Sequence, residues 1–282
     1  MRDASPLRYP GGKWRLFRFF KRAISLNFSR PPMYVEPYAG GASLALSLLF
    51  KGLVSEIWIN DLDPAIHAFW HSVLKHPQEF SRLVMTVPLT PEEWRKQKQI
   101  YSEGLASGRF ALGFATFYLN RTNHSGILNG GMIGGKAQNG PWTISARFNR
   151  PELARRVLLI GQWKAKIHLS RKDAAAFLKA GTFDSETLLY LDPPYYQAGK
   201  ALYLNAYKHE DHATVRNTIT AIQSPWIVSY DYNVHIKSLY HGYRTRRIDL
   251  LHTARVAKMG REALFFSPGI KVPASTLVGT QA

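Results

Sequence analysis

Met33 to Phe50 reads MYVEPYAGGASLALSLLF, and the order of elements in it sets the fold class. Met33–Glu36 is a short apolar run that stops at Pro37. A glycine-rich turn follows, and Ser43 is placed to cap a helix running on through Phe50. The same order then recurs. Ser55–Asn60 (SEIWIN) reads as a strand, and Pro64 opens an amphipathic helix, AIHAFWHSVL. Lys166–Leu169 is strand-like before the helical AAAFLKA, and Thr187–Leu191 (TLLYL) reads as a buried strand before a helix near HATVRNTITAI. Trp226–Tyr230 (WIVSY) precedes the helix-like VHIKSLY, and RRIDLLH and ALFF (Ala263–Phe266) close the series. Strands alternating with helices predict an α/β protein with a mostly parallel sheet.

One stretch breaks the alternation. Between about His71 and Gln162 the pattern is helical, with EEWRKQKQIYSE and FALGFATFYLN on either side of a polar gap. With 282 residues, and roughly 150 per domain as a guide, the chain suits one sheet domain carrying an insertion. The expected division is residues 1–70 and 163–282 for the sheet, with 71–162 inserted.

Composition narrows the function classes. Lys and Arg total 37 against 19 Asp and Glu, for a net charge of +18. From Gly104 to Lys172 there are eleven basic residues and one acid, Glu152, so more than half of that excess sits in a quarter of the chain. Nine of the 21 glycines lie between Gly104 and Gly140, which suits a sharply turned loop approaching a phosphate backbone. The sequence has no cysteine, which excludes thiol nucleophiles, disulfides and cysteine-ligated metals. No apolar run reaches the 18 or so residues of a membrane span, and Met1–Lys13 is not patterned as a signal peptide. A cytoplasmic protein without a membrane partner is expected.

Two constellations carry chemistry. In Glu36-Pro37-Tyr38-Ala39-Gly40-Gly41 the glycines let the backbone approach a ligand at the end of the first strand, where open α/β sheets bind nucleotides. Asp61 ends the second strand, twenty residues past Gly41, where a carboxylate accepts from ribose hydroxyls. The G-x-G-x-x-G spacing of dinucleotide sites is missing, which suits an adenosyl ligand without a pyrophosphate. The second constellation is Leu191-Asp192-Pro193-Pro194-Tyr195, closing a buried strand. By chance an Asp-Pro-Pro-Tyr arises on the order of once in a thousand chains of this length. Each proline holds its predecessor extended, so the Asp192 carboxylate and the Pro193 carbonyl form a fixed pair of acceptors for an amino group. Tyr195 offers a flat face on which a base can stack.

Other motifs are set aside. Gly11-Gly12-Lys13 and Gly130–Lys136 imitate phosphate loops, but Trp14 and Ala137 follow the lysines where a hydroxyl is required. His67 with His71, and His209 with His212, lack a metal-binding context, and a surface role is expected for both pairs.

Taken together, these residues resemble the Dam-like DNA adenine-N6 methyltransferases, the alpha-ordered amino-methyltransferases. The blocks fall in the family's order over nearly the whole chain: LRYPGGKW (Leu7–Trp14), EPYAGGAS (Glu36–Ser43), INDLDP with Asp61, FYLNRTNHSGI (Phe117–Ile127), LDPPYY (Leu191–Tyr196), SYDYN (Ser229–Asn233) and a final strand at EALFF. The resemblance implies a Rossmann-like methyltransferase sheet, S-adenosyl-L-methionine as cofactor, double-stranded DNA as partner, and residues 71–162 as a mostly helical target-recognition domain. It implies cofactor contacts at Tyr9, Lys13, Glu36, Pro37, Tyr38, Ala39, Gly40, Asp61, Asp173 and Asp192, and a catalytic tetrapeptide at Asp192, Pro193, Pro194 and Tyr195. Asn120, Arg121, Asn123, His124 and Ser125 match the start of a DNA-reading hairpin, with Lys136 and Arg147 as further DNA contacts. His124 and Ser125 depart from the Tyr-Asn of GATC-modifying relatives, so GATC is not assigned. Residues 197–207 are expected to close over an extruded base. No metal is implied.

RNA adenine methylation uses similar tetrapeptides, and a catalytically idle DNA-binding module is the alternative from another class. Cytosine-N4 methylation fits less well, because that subgroup more often places Ser before the two prolines. Monomer and homodimer both stay open, as do orphan, restriction-partner and phage or prophage settings.

Overall fold

The structure, a computed structural model, describes residues 4–8, 13–196, 207–252 and 258–274. Seven strands form one sheet: β1 (Met33–Glu36), β2 (Glu56–Asn60), β3 (Ile167–Ser170), β4 (Thr187–Leu191), β5 (Trp226–Asp231), β6 (Arg244–His252) and β7 (Lys258–Phe266). Their order is β3-β2-β1-β4-β5-β7-β6. The first five run parallel, while β7 inserts antiparallel between β5 and β6. This is the mostly parallel, Rossmann-like α/β sheet expected from the sequence. Strand order reverses at β1, whose neighbours are β2 and β4, so the crevice for a ligand opens beyond the carboxyl end of β1.

Alternation along the strands feeds two cores. Tyr34, Ile57, Ile59, Leu188, Tyr190, Ile227, Leu264 and Phe266 face one of them. Val35, Leu189, Leu191, Val228, Tyr230, Ala263 and Phe265 face the other. β4 is buried at all five positions, which accounts for its uninterrupted apolar sequence. α1 (Phe17–Asn27) and α2 (Ser43–Phe50) pack on the first face. α8 (Ala174–Ala180) and helices His209–Thr220 and Val234–Leu239 pack on the second.

α2 starts differently from the expectation. Ser43 is its first residue, and the capping position is Ala42, whose φ of 44° lies in the left-handed region and whose side chain makes no capping bond.

Five α-helices lie between β2 and β3: α3 (Pro64–Lys75), α4 (Pro77–Thr86), α5 (Pro91–Glu103), α6 (Arg109–Thr122) and α7 (Arg150–Gln162). Proline stands in the first turn of α3, α4, α5 and α7, where its missing N–H costs nothing. Side chains of Asp63, Thr90 and Asn149 cap three of these helices. A chain of edge-to-face aromatic contacts, Phe69–Phe80–Phe114 and Phe80–Phe117–Phe148, binds these helices together and continues into the first core. Gly113 permits the close crossing of α6 over α3: a Cβ there would stand 2.5 Å from the Ala68 carbonyl oxygen.

Candidate active site

Asp192 follows directly on β4, at the carboxyl edge of the sheet. Its two oxygens are held from different sides. Ser229 Oγ, on β5, donates to Oδ1 at 2.6 Å, and Ser229 is itself 2.8 Å from the Tyr190 hydroxyl. The Lys13 ammonium pairs with Oδ2 at 2.8 Å. Lys13 is nearly enclosed, whereas the Asp192 side chain keeps 23% of its surface exposed. Lys13 also donates to the Tyr195 hydroxyl at 2.7 Å, and that hydroxyl donates to Glu262 Oε1 on β7 at 2.5 Å. Burial and the neighbouring Asp192 and Glu262 charges push the Tyr195 phenol well above its ordinary range, so it stays neutral. Pro193 is buried and Pro194 half-buried. The next residue, Tyr196, is pinned through its N–H to Asp231 Oδ1 at 3.1 Å.

A second carboxylate marks the end of β2. Asp61 Oδ2 accepts from Gly40 N–H at 2.8 Å, and Oδ1 accepts from Asp63 N–H at 3.0 Å. These bonds hold the glycine turn against the neighbouring strand end. Gly40 takes a φ of 46°, and its carbonyl accepts from the Trp70 indole at 2.9 Å. Asn60 braces the same turn by donating to the carbonyls of Pro37 and Lys172. Burial raises Asp61 to about 7 despite the two backbone donors. The Tyr38 and Tyr207 hydroxyls meet at 3.0 Å across this crevice. Glu36 is buried beside it, where desolvation and the Asp192 charge push its carboxyl up to about 8. It takes a hydrogen bond from the Tyr34 hydroxyl and another from the backbone of Ala45 in α2.

The model of one protein family, the D12 class N6 adenine-specific DNA methyltransferases, matches residues 9–254. The chain belongs to that family. It is an S-adenosyl-L-methionine-dependent methyltransferase acting on the N6 amino group of adenine. No curated protein matches the chain. Among solved structures it is similar in fold to an rRNA methyltransferase from Streptomyces viridochromogenes, at 10% identity and a TM-score of 0.39, covering 91% of this chain and 84% of that one. TrmN from Thermus thermophilus is 11% identical with a TM-score of 0.39, over 87% of this chain and 46% of that one. A SAM-dependent methyltransferase from Agrobacterium tumefaciens is 9% identical with a TM-score of 0.37, over 88% and 60%.

The donor set fits the cofactor of the D12 class. A buried carboxylate, Asp61, sits at the topological switch point beside a glycine turn, and the acceptor Asp192 opens onto the same carboxyl edge of the sheet. Asp173, expected as a cofactor contact, is exposed and caps α8 by accepting from Ala176 N–H. Lys13, expected as a cofactor contact, pairs with Asp192, which is another of the expected contacts. Tyr9 lies outside the described residues, as does 197–206 of the segment expected to close over a base.

The hairpin residues divide into framework and surface. Asn120 is buried, and its amide bonds both the N–H and the carbonyl of Arg8, at 2.6 and 2.8 Å, and also the Gly126 carbonyl at 3.0 Å. Asn123 is fully buried, donates to the carbonyls of Ile127 and Leu128, and accepts from the Trp94 indole. Both were expected to contact DNA directly; their polar atoms are turned to the protein, and they shape the turn instead. Arg121 donates to the Pro6 carbonyl at 2.6 Å. Ser125 is half-buried with a φ of 56°. At Gly126 a Cβ would meet the Arg8 carbonyl oxygen at 2.4 Å, so only glycine lets the amino-terminal segment pass here. His124, Lys136 and Arg147 are exposed, and the Arg147 guanidinium lies 5.6 Å from the ring of the exposed Trp142.

Two further differences concern the histidines. His212 is fully buried, with Nδ1 at 3.0 Å from the Tyr230 hydroxyl, so it is a core residue and not the surface group expected. Burial and the nearby Arg109 and Arg171 lower His67 to about 4, keeping it neutral. Among the described residues no group of His, Asp and Glu is placed to hold a metal, and no helix is long and apolar enough to cross a membrane.

Sequence reading attached no role to Ser229, Tyr190 or Glu262. Ser229 opens the SYDYN block, and Glu262 is the single acid beside an apolar strand. A charge in such a strand was the available signal, but only the sheet order brings β7 next to β5 and Glu262 to Tyr195.

Proposed function

We propose that the protein is a site-specific methyltransferase for adenine N6 in double-stranded DNA, with residues 71–162 as its target-recognition part. The observation that carries this reading is the Asp192 carboxylate, partly exposed at the carboxyl edge of the sheet and oriented by Ser229 and Lys13. The exposed basic positions Lys136, on the glycine-rich stretch, and Arg147, just beyond it, support a nucleic-acid partner.

Adenine's amino nitrogen is a poor nucleophile because its lone pair is delocalised into the ring. Asp192 and the Pro193 carbonyl accept its two N–H hydrogens, which favours a pyramidal nitrogen and frees the lone pair. The carboxylate reaches that geometry without reorganising, since Ser229 and Lys13 already fix both of its oxygens. Each carboxylate oxygen has a second lone pair, so these bonds leave room for the substrate. Tyr195 provides the face against which the base rests. Asp61 would hold the ribose of S-adenosylmethionine, and the Gly40 turn its methionine part. The cofactor, when bound, supplies an electrophilic methyl group on sulfonium. An adenine inside duplex DNA cannot offer N6 to Asp192 while stacked, so the base is flipped out.

Labelled cofactor incubated with duplex DNA and, separately, with structured RNA tests the reading. Label in the DNA, recovered as N6-methyladenine, is expected. Label in RNA alone would replace DNA with RNA as the substrate.

A further inference from the structure

Glu262 is a carboxylate in an apolar setting. It is fully buried in β7, and the residues that follow it, Ala263 to Phe266, fill the two cores of the sheet. A buried charge is costly unless it is paired and hydrogen-bonded. Its partners on Oε1 are two groups of the active site. The Tyr195 hydroxyl donates to it at 2.5 Å, and the Lys13 ammonium lies 3.6 Å away. Lys13 is meanwhile 2.8 Å from Asp192 Oδ2 and donates to the Tyr195 hydroxyl at 2.7 Å. One ammonium therefore stands between an inner carboxylate and the carboxylate that faces substrate. One hydroxyl takes a hydrogen bond from the ammonium and passes one to the inner carboxylate.

Resting on the adenine-N6 reading above, we propose that Glu262 is a positioning residue for methyl transfer, holding Lys13 and Tyr195 from beneath so that Asp192 keeps acceptor capacity for the target amino group. Two consequences follow from the geometry. With Glu262 on its inner side, 3.6 Å from Nζ, the Lys13 ammonium is anchored at the enclosed side of Asp192 while it pairs with Oδ2 at 2.8 Å, and the outward lone pairs of Asp192 remain for the substrate. The Tyr195 hydroxyl, committed to Glu262, accepts from Lys13 and does not donate to Asp192, and this also fixes where its ring stands. Without the charge at Glu262, Lys13 would lose its inner anchor and be free to shift towards the exposed side of Asp192, where it would compete with the incoming amino group. Glu262 touches neither substrate nor cofactor in this scheme; it acts through two neighbours.

A double-mutant cycle tests this. Wild-type protein is first assayed on DNA and on RNA, which decides the polymer separately, and the cycle is run on the polymer that is methylated. Glu262→Gln keeps an oxygen to accept from Tyr195 but removes the charge that draws on Lys13. Its kcat is expected to fall on the order of 10- to 100-fold, the usual scale for a displaced catalytic group, while KM for cofactor and nucleic acid changes less than about threefold. Glu262→Asp, which keeps the charge, is expected to recover part of the loss. Tyr195→Phe removes the hydroxyl that links the pair, so the double variant is expected to fall no further than the worse single one. Glu262→Leu fills the same space without a charge and serves as a second arm should the glutamine variant not fold. Wild-type kcat in a folded Gln or Leu variant would overturn the proposal, and so would losses that simply add.

Discussion

Lys13 Nζ lies 2.8 Å from Asp192 Oδ2, an ion pair that ties the amino-terminal segment to the tetrapeptide at the end of β4. A pair this enclosed brings little net stability, since desolvating both ions offsets much of their attraction. Its effect is geometric: it fixes one carboxylate oxygen while Ser229 fixes the other. Asp192→Ala leaves Lys13 within reach of Glu262, so folding is expected to survive. Turnover is expected to fall by about 100-fold or more, the range for removing a preorganised polar group. Labelled-methyl transfer, alongside calorimetry with S-adenosylmethionine, checks both halves. Retained turnover would remove this carboxylate from the mechanism.

Asp61 sits at about 7 because burial outweighs its two backbone donors. Only the ionised carboxylate accepts from both ribose hydroxyls with full strength. Cofactor affinity is therefore expected to rise with pH through about 7, approaching tenfold per unit on the acid side if ionisation is required for binding. Calorimetric titrations at pH 6 and pH 8 read this directly, and Asp61→Asn should flatten the dependence while weakening binding. A wild-type affinity indifferent to pH over that interval would separate Asp61 from the cofactor.

Glu36 rises from an ordinary 4.5 to about 8 in the folded protein. The fold thus favours its neutral form. The stability this group contributes is fully present below about pH 4.5 and is lost as pH climbs towards 8 and beyond. Asp61 acts in the same sense over a lower interval, from 3.8 to about 7. Melting temperatures measured from pH 5 to pH 9 should fall with pH, and Glu36→Gln should reduce the slope. An equally steep fall in the variant would mean that Glu36 is not the group responsible.

The strands and their order of appearance were legible because apolar runs such as TLLYL, buried at every position of β4, have no other stable placement. The helical character between β2 and β3 was legible too: Pro64 opens α3, and α5 and α6 fall on EEWRKQKQIYSE and FALGFATFYLN. Asp61 and Asp192 stand at strand ends, where local sequence marks them. Contacts between distant segments were not legible. Nothing near Asn120 announces that its amide clasps the backbone of Arg8, so a polar residue beside Arg121 reads as a DNA contact. Likewise Lys13 resembles a phosphate-loop lysine until the sheet brings Asp192 to it. His212 fails as a surface residue for the same reason, because its partner Tyr230 comes from β5.

Lys136, on the glycine-rich stretch, and Arg147, beyond its end at Gly140, are exposed, and a phosphate contact is proposed for each. Replacing either by alanine should weaken DNA binding evenly across sequences and lower the slope of log K against log salt by about one. Fluorescence anisotropy over a salt series measures this. An unchanged slope, or an effect confined to one target sequence, would contradict a phosphate role.

Transfer to adenine in DNA is read out by expressing the protein in a host that lacks adenine methylation. Its DNA would be sequenced by a method that reports modified bases. N6-methyladenine is expected within one short recurring motif, and is expected to be absent when the Asp192→Ala protein is expressed instead. Unmodified DNA in cells whose recovered protein binds S-adenosylmethionine would contradict it.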